Sequence, residues 1–461
     1  MDAKYHEVNI EDSKTSVQSF LKQAFIASSV WMQYFMAGLA IGTPTVFLPQ
    51  LRRESNSTDV IDADLSSWLY AVPPICVLPF VLFLPLFTKK VGRKIPQIIT
   101  SIVAMIAFII LYYSTSVYHI LISEVIQGYL HAGNLTFTIL SITEYASPRL
   151  RGFFLTFTAA GFYWGLWTAN AIGSFYHARN IALVGICGSI YTLTVILWPE
   201  SPFWLASMGR LEESKASFRW IHGHKAEKEL REIVLAQEKT LLLKQADVEM
   251  SLSSWVRCPE FYKPLFLSIV LVMQTLFSGK MVCCFYILDI FKTITSSEEA
   301  AYRAMLILDG VTLVCIYVGT YLAKILKRRT LFMSTSLVAI IFLLSTSVYL
   351  FIVRAKLFGV NNYITLALLT AFSVSISVGP MILCNVIYSE LISSKFQASS
   401  YTIISLVISV AYFIWLKITP NIFATLGLHG SFLMYGVMCG LCTVYLFVYL
   451  PETKDKTRWE L

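Results

Sequence analysis

Residues 66–94 read SSWLYAVPPICVLPFVLFLPLFTKKVGRK. From Ser66 to Thr88 there is no charged side chain, and the run then stops on Lys89, Lys90, Arg93 and Lys94. About 20 apolar residues suffice for a helix to cross the hydrocarbon core of a bilayer, and basic residues collect on the cytoplasmic side of such crossings. An apolar run of that length closed by a basic cluster is therefore the repeating unit of a polytopic membrane protein. The same unit recurs along the chain.

Of the 461 residues 56% are hydrophobic and 14% charged, too little polar surface for a soluble domain of this size. Apolar runs bounded by charge fall near 24–49, 66–88, 96–114, 118–140, 153–174 and 179–198. After a polar stretch, six more fall near 264–291, 300–323, 330–353, 361–389, 398–420 and 429–450. Helices are the expected form, because lipid offers backbone groups no hydrogen-bond partner. The reading is an all-α membrane protein of 12 transmembrane helices: a cytoplasmic tail 1–23, a six-helix bundle 24–198, a cytoplasmic helical linker 199–263, a second six-helix bundle 264–450 and a tail 451–461. Residues 1–23 hold acids and lysines without an apolar core, so no cleavable signal peptide is expected and the first span serves to direct insertion.

The net charge of +8 lies almost wholly between spans, which argues for topology rather than nucleic-acid binding. Placing both termini in the cytoplasm puts most Lys and Arg on that side, including Lys89 to Lys94 and the cluster Lys324, Lys327, Arg328 and Arg329 at the equivalent place of the second half. The sequon Asn56-Ser57-Thr58 then falls in the first outer loop as a glycosylation candidate. The nine cysteines have no metal-ligand spacing, and there is no Gly-rich phosphate loop and no Ser/His/Asp set. No cofactor and no enzymatic activity are expected. The partners implied are a small-molecule solute and the lipid bilayer.

Several motifs sit at the span boundaries. They are Gly92-Arg93-Lys94 after span 2, Glu144 with Arg151-Gly152 after span 4, Pro199-Glu200-Ser201-Pro202-Phe203-Trp204-Leu205 after span 6, and Pro451-Glu452-Thr453-Lys454 after span 12, with Leu48-Pro49-Gln50-Leu51 closing span 1. Together, in this order, they resemble the sugar porter family of the major facilitator superfamily, in particular the insect facilitated trehalose transporters. The resemblance implies two bundles rocking about a midplane substrate site, transport of a sugar (trehalose or hexose) or related polyhydroxylated solute by facilitated diffusion, and a plasma membrane location. The alternatives are a transporter-like sensor or a carrier of a non-sugar solute. Gating is expected from Glu144, Arg151, Glu200, Arg93, Glu390 and Glu452, whose ion pairs would hold the two halves together on the cytoplasmic side when the site faces outward and would break on opening inward.

The resemblance also exposes departures. The acid expected before the basic turn is Lys89 in the first half and Lys324 in the second. The second-half glycine is Lys327, and the arginine expected after Glu390 is Gln397, so the second gate reads as degraded and the inward-open state as favoured. Family sugar contacts fall on Ala159, Thr275, Leu276, Met281 and Asn385. The polar and aromatic residues left near the cavity as substrate-binding candidates are Gln274, Ser278, Asn385, Asn170 and Trp164. Ionisable residues inside spans add Lys280 and Asp309, costly in lipid unless they face a cavity or a partner. Lying about 11 and about 9 residues from the outer ends of consecutive antiparallel spans, they match in depth to roughly 3 Å and are expected to pair. Glu124 and His131, at i and i+7 on span 4, are a candidate proton relay. No acid lies between Ala24 and Pro49, which favours facilitated diffusion over proton coupling.

Overall fold

The computed structural model describes residues 17–54, 63–223, 258–294, 297–357, 359, 361–392 and 396–454. Among these, nine helices are long and apolar enough to cross a membrane. Spans 1 to 3 are Val17–Glu54, Ala63–Val91 and Lys94–Tyr112. Span 4 begins at Val117–Gly133, passes through a π-helical stretch at Asn134–Thr138 and ends with Ile139–Tyr145. Span 5 is Pro148–Phe175, and span 6 is Arg179–Thr192 with a 3-10 turn to Leu197. Span 7 is broken at Gly279 into Pro259–Phe277 and Lys280–Phe285. Spans 8 and 9 are Glu298–Ile325 and Arg328–Arg354, and span 10 is Asn362–Val378 continued by Pro380–Leu391. Gln397–Tyr449 holds spans 11 and 12, divided by non-helical backbone at Gly427. Spans 4 and 5 fall outside the nine; Glu124, Gln127 and His131 in one and Asn170 in the other are polar.

Helices in lipid associate by close packing rather than by hydrophobic exclusion. Spans 1 and 5 meet through Gly38 and Gly42 on one and Gly161 and Gly165 on the other. A Cβ at Gly38 would overlap the Phe162 carbonyl, and one at Gly165 the Phe35 carbonyl. The outer end of span 1 is tied down by Gln50, whose Nε2 donates to the carbonyls of Gly173 (2.8 Å) and Tyr176 (3.1 Å) while its Oε1 accepts from the Ala178 amide (2.7 Å). The Leu48-Pro49-Gln50-Leu51 motif is thus a brace between span 1 and the turn joining spans 5 and 6.

The linker begins with two short helices, Pro202–Ser207 and Leu211–His222. The second docks on the start of span 1. Ser19 Oγ donates to the Ile221 carbonyl (3.0 Å), Lys22 Nζ to that of Trp220 (2.9 Å), and Gln23 Nε2 lies 3.3 Å from His222 Nδ1. Burial pushes His222 down from 6.5 to about 4, so the docked helix favours neutral imidazole. The undocked ring takes up a proton near 6.5; docking is therefore complete above that pH and weakens as pH falls toward 4. Hydrogen exchange across residues 211–222, corrected for intrinsic rates, should accelerate over that interval, and His222→Gln should flatten the profile. A pH-independent wild-type profile would contradict this.

Candidate transport site and its gates

The span-boundary motifs assemble as clasps inside each half. The Arg93 guanidinium donates through Nε and Nη2 to Glu144, at 3.0 and 2.8 Å, with both side chains about 15% exposed. Desolvation opposes the guanidinium charge, but the Glu144 hydrogen bonds and negative charge outweigh it and raise the Arg93 pKa further. Glu200 accepts from the backbone amides of Arg93 (2.8 Å) and Lys94 (3.2 Å), at the N-terminus of span 3, where free amides and the helix dipole favour a carboxylate. Gly92 has φ +99°, and a Cβ there would strike the Glu200 carboxylate. That explains the glycine of the Gly-Arg-Lys turn. Ser201, which sequence reading passed over, completes the clasp by donating to Glu144 Oε2 (2.6 Å) and capping the Trp204 amide.

The second half repeats this arrangement. Arg328 pairs with Glu390, and Glu452 accepts from the amides of Arg328 (3.0 Å) and Arg329 (3.2 Å) at the N-terminus of span 9. One expectation is corrected here. The second clasp is formed, because Lys327 takes φ −64° and needs no glycine. In this structure Arg93–Glu144 and Arg328–Glu390 each join elements of one half, and Arg151, expected to take part, leaves its buried Nε without a partner while Glu144 turns to Arg93.

Several contacts between halves lie at the span ends opposite these clasps. Arg53 at the end of span 1 pairs with Glu298 at the start of span 8, and Lys292 reaches the same carboxylate at 2.7 Å. Tyr70 of span 2 packs against Phe285 and Tyr286 beyond the break in span 7, at ring separations of 5.7 and 4.5 Å. Lys417 of span 11 donates to Ser67 (2.8 Å) and lies over the Trp68 ring. These residues were not singled out in the sequence; charge at a helix end is common and gives no sign of a partner. Each exposed pair is worth about 0–1 kcal/mol. Glu298→Gln is accordingly expected to raise outside labelling of a cysteine at position 70 about two- to fivefold. Unchanged labelling would rule out a gate role.

Below this lid lies a buried polar seam. Asn170 of span 5 donates to Asp309 Oδ2 of span 8 at 2.7 Å, a bond between halves, and the two are 1% and 5% exposed. One turn further along span 8, Thr312 Oγ1 accepts from Lys280 Nζ at 3.0 Å, and Lys280 also donates to Ser373 Oγ of span 10. The direct Lys280–Asp309 pair expected from depth is not formed. Asp309 faces span 5, and Lys280 turns to the hydroxyls of spans 8 and 10. The remaining candidates lie apart. Gln274 Nε2 donates to Ser336 Oγ and Cys439 Sγ inside the second half, and Ser278 Oγ donates to the Thr275 carbonyl at the break in span 7. Trp164 Nε1 donates to Tyr317 at the seam of spans 5 and 8, and Asn385 is exposed. Glu124 and His131 do not bond: both Glu124 oxygens and His131 Nε2 are buried without partners. Asn56 lies outside the described residues, as do 224–257 of the linker.

Residues 21–461 match the family model described as "Sugar (and other) transporter". The chain belongs to that family. Similar curated proteins include the facilitated trehalose transporter Tret1 of Apis mellifera ligustica, 21% identical over 98% of this chain and 89% of that protein. Tret1 of Bombyx mori is 24% identical over 88% and 80%. Among solved structures, the xylose transporter XylE from E. coli superposes in an inward-open conformation with TM-score 0.75 at 16% identity, covering 96% of this chain and 99% of that one. A partially occluded inward-open form gives the same TM-score at 15% identity. The fold of this family member is thus the major facilitator fold, a multi-pass bundle embedded in the membrane.

Proposed function

We propose that this transporter carries a sugar, trehalose or a hexose, by facilitated diffusion with alternating access, in the plasma membrane with both termini cytoplasmic. On this reading residues 24–198 and 264–450 move as two bodies joined by 199–263. The observation that carries it is the Asn170–Asp309 bond between the halves beneath a closed outer lid. It supports the reading because it sets a donor and an acceptor between the halves, and each buried sugar hydroxyl needs such a partner. Asn170, Asp309, Lys280, Thr312 and Ser373 are the proposed substrate-facing group, with Asn385 facing the open side. Gln274 and Ser278 serve packing within the second half.

Uptake of labelled trehalose and glucose in oocytes, at verified surface expression, tests this. Saturable, non-concentrative uptake of either is the expected result. Absence of both, or accumulation driven by a proton gradient, would overturn it.

A further inference from the structure

A cavity of about 390 Å³ opens at the end of the second half where spans 9, 10, 11 and 12 meet, the outer end on the orientation proposed above. One wall is aliphatic, made by Leu350, Val353, Ala424 and Leu428. The other is polar and cationic. Arg354, the last residue of span 9, holds Nη1 3.5 and 3.4 Å from the two ring nitrogens of His429. Near-equal distances to both nitrogens hold the guanidinium against the imidazole. Gly427, with φ +67°, keeps the space between them clear, since a Cβ there would press on both side chains.

Two further observations call for an anion. Arg354, exposed at the cavity mouth, has no carboxylate within ion-pair distance among the described residues, so its charge is available to a ligand in the cavity. Thr365, in the first turn of span 10, lines the same cavity at 1% exposure, and its Oγ1 has no hydrogen-bond partner. A buried, unpaired hydroxyl is costly, and this one borders the cavity, whereas the first-turn amides of span 10 are already taken by Asn361. Nearby, Tyr349 is held by Asn361, its hydroxyl accepting from the Asn361 amide at 3.0 Å, which shapes the rim.

A cation and an unfilled hydroxyl facing an aliphatic wall, at the end of the spans, fit an amphiphile with a phosphodiester headgroup. A free phosphate would use the polar wall and leave the aliphatic one wet. We propose that this cavity binds the phosphodiester headgroup of a membrane phospholipid, with Arg354 and Thr365 on the phosphate and an acyl chain along Leu350, Val353 and Leu428.

Delipidated full-length protein in detergent is titrated with phosphatidylglycerol and separately with inorganic phosphate, and bound adducts are counted by native mass spectrometry. Wild type is expected to hold the lipid about tenfold more tightly than Arg354→Gln, with part of the loss restored in Arg354→Lys. Thr365→Val should weaken binding less, at unchanged sugar uptake. Equal lipid affinity in wild type, Arg354→Gln and His429→Gln would overturn the site. Arg354-dependent binding of inorganic phosphate without lipid binding would overturn the lipid assignment. Should Arg354→Gln fail to fold, His429→Gln and Thr365→Val give the same comparison, because the first removes the ring against which Arg354 is held and the second the cavity-facing hydroxyl.

Discussion

Lys280→Met is expected to lower sugar uptake at least about tenfold at wild-type surface abundance. The ammonium is 2% exposed and is held by two neutral hydroxyls, Thr312 and Ser373, rather than by a carboxylate at contact distance. An ammonium buried in that way carries a desolvation cost of several kcal/mol that hydroxyl dipoles offset only in part. The nearest source of compensation is Asp309, one turn from Thr312 on the same helix face. Removing the lysine leaves Asp309 as an unneutralised acid whose one hydrogen bond crosses between halves. On the proposed mechanism the rocking motion breaks and remakes that bond, so both solute contact and the conformational step are expected to suffer. Asp309→Asn keeps the shape and removes the charge. If charge balance links the two, the double variant should recover more activity than the product of the single losses allows, a coupling of about 1 kcal/mol or more. Multiplicative losses, or full activity in Lys280→Met, would refute the linkage.

Arg93→Ala is expected to destabilise the first half by about 2–4 kcal/mol, read as lower surface abundance and a lower apparent melting temperature. The fork of Arg93 satisfies Glu144, and its backbone amide satisfies Glu200, so three elements meet at one residue. The alanine variant leaves Glu144 with only Ser201, partly buried beside a second carboxylate. Arg93→Lys should recover less than half the loss, because an ammonium cannot reproduce the planar two-bond contact. A melting temperature unchanged in Arg93→Ala would show that the clasp is ornamental.

Most of the architecture was legible before any coordinates, because hydropathy and charge report directly on the solvent each segment meets. Spans 4 and 5 fall outside the helices apolar enough on composition alone. They carry buried polar groups, Gln127 and Asn134 in one and Asn170 in the other, which interior contacts rather than lipid accommodate. The site was legible in depth but not in azimuth. Counting residues put Lys280 and Asp309 near one level, yet the rotation of span 8 aims Asp309 at Asn170, and only the packing of spans 5, 8 and 10 decides that. In the same way the motifs marked Arg93, Glu144, Glu200, Glu390 and Glu452 as partners, while linear order could not say whether the pairs bridge halves or bind within them. The outer contacts of Arg53, Tyr70 and Lys417 left no trace in motif or spacing.

The matching clasps have a mechanical consequence. Each half carries its own tie-rod, Arg93–Glu144–Glu200 in one and Arg328–Glu390–Glu452 in the other. On the proposed two-body motion, ties of this kind stiffen each lever. Probe pairs spanning one clasp should keep a constant separation through the cycle, and the distance from Arg53 to Glu298 should carry the travel.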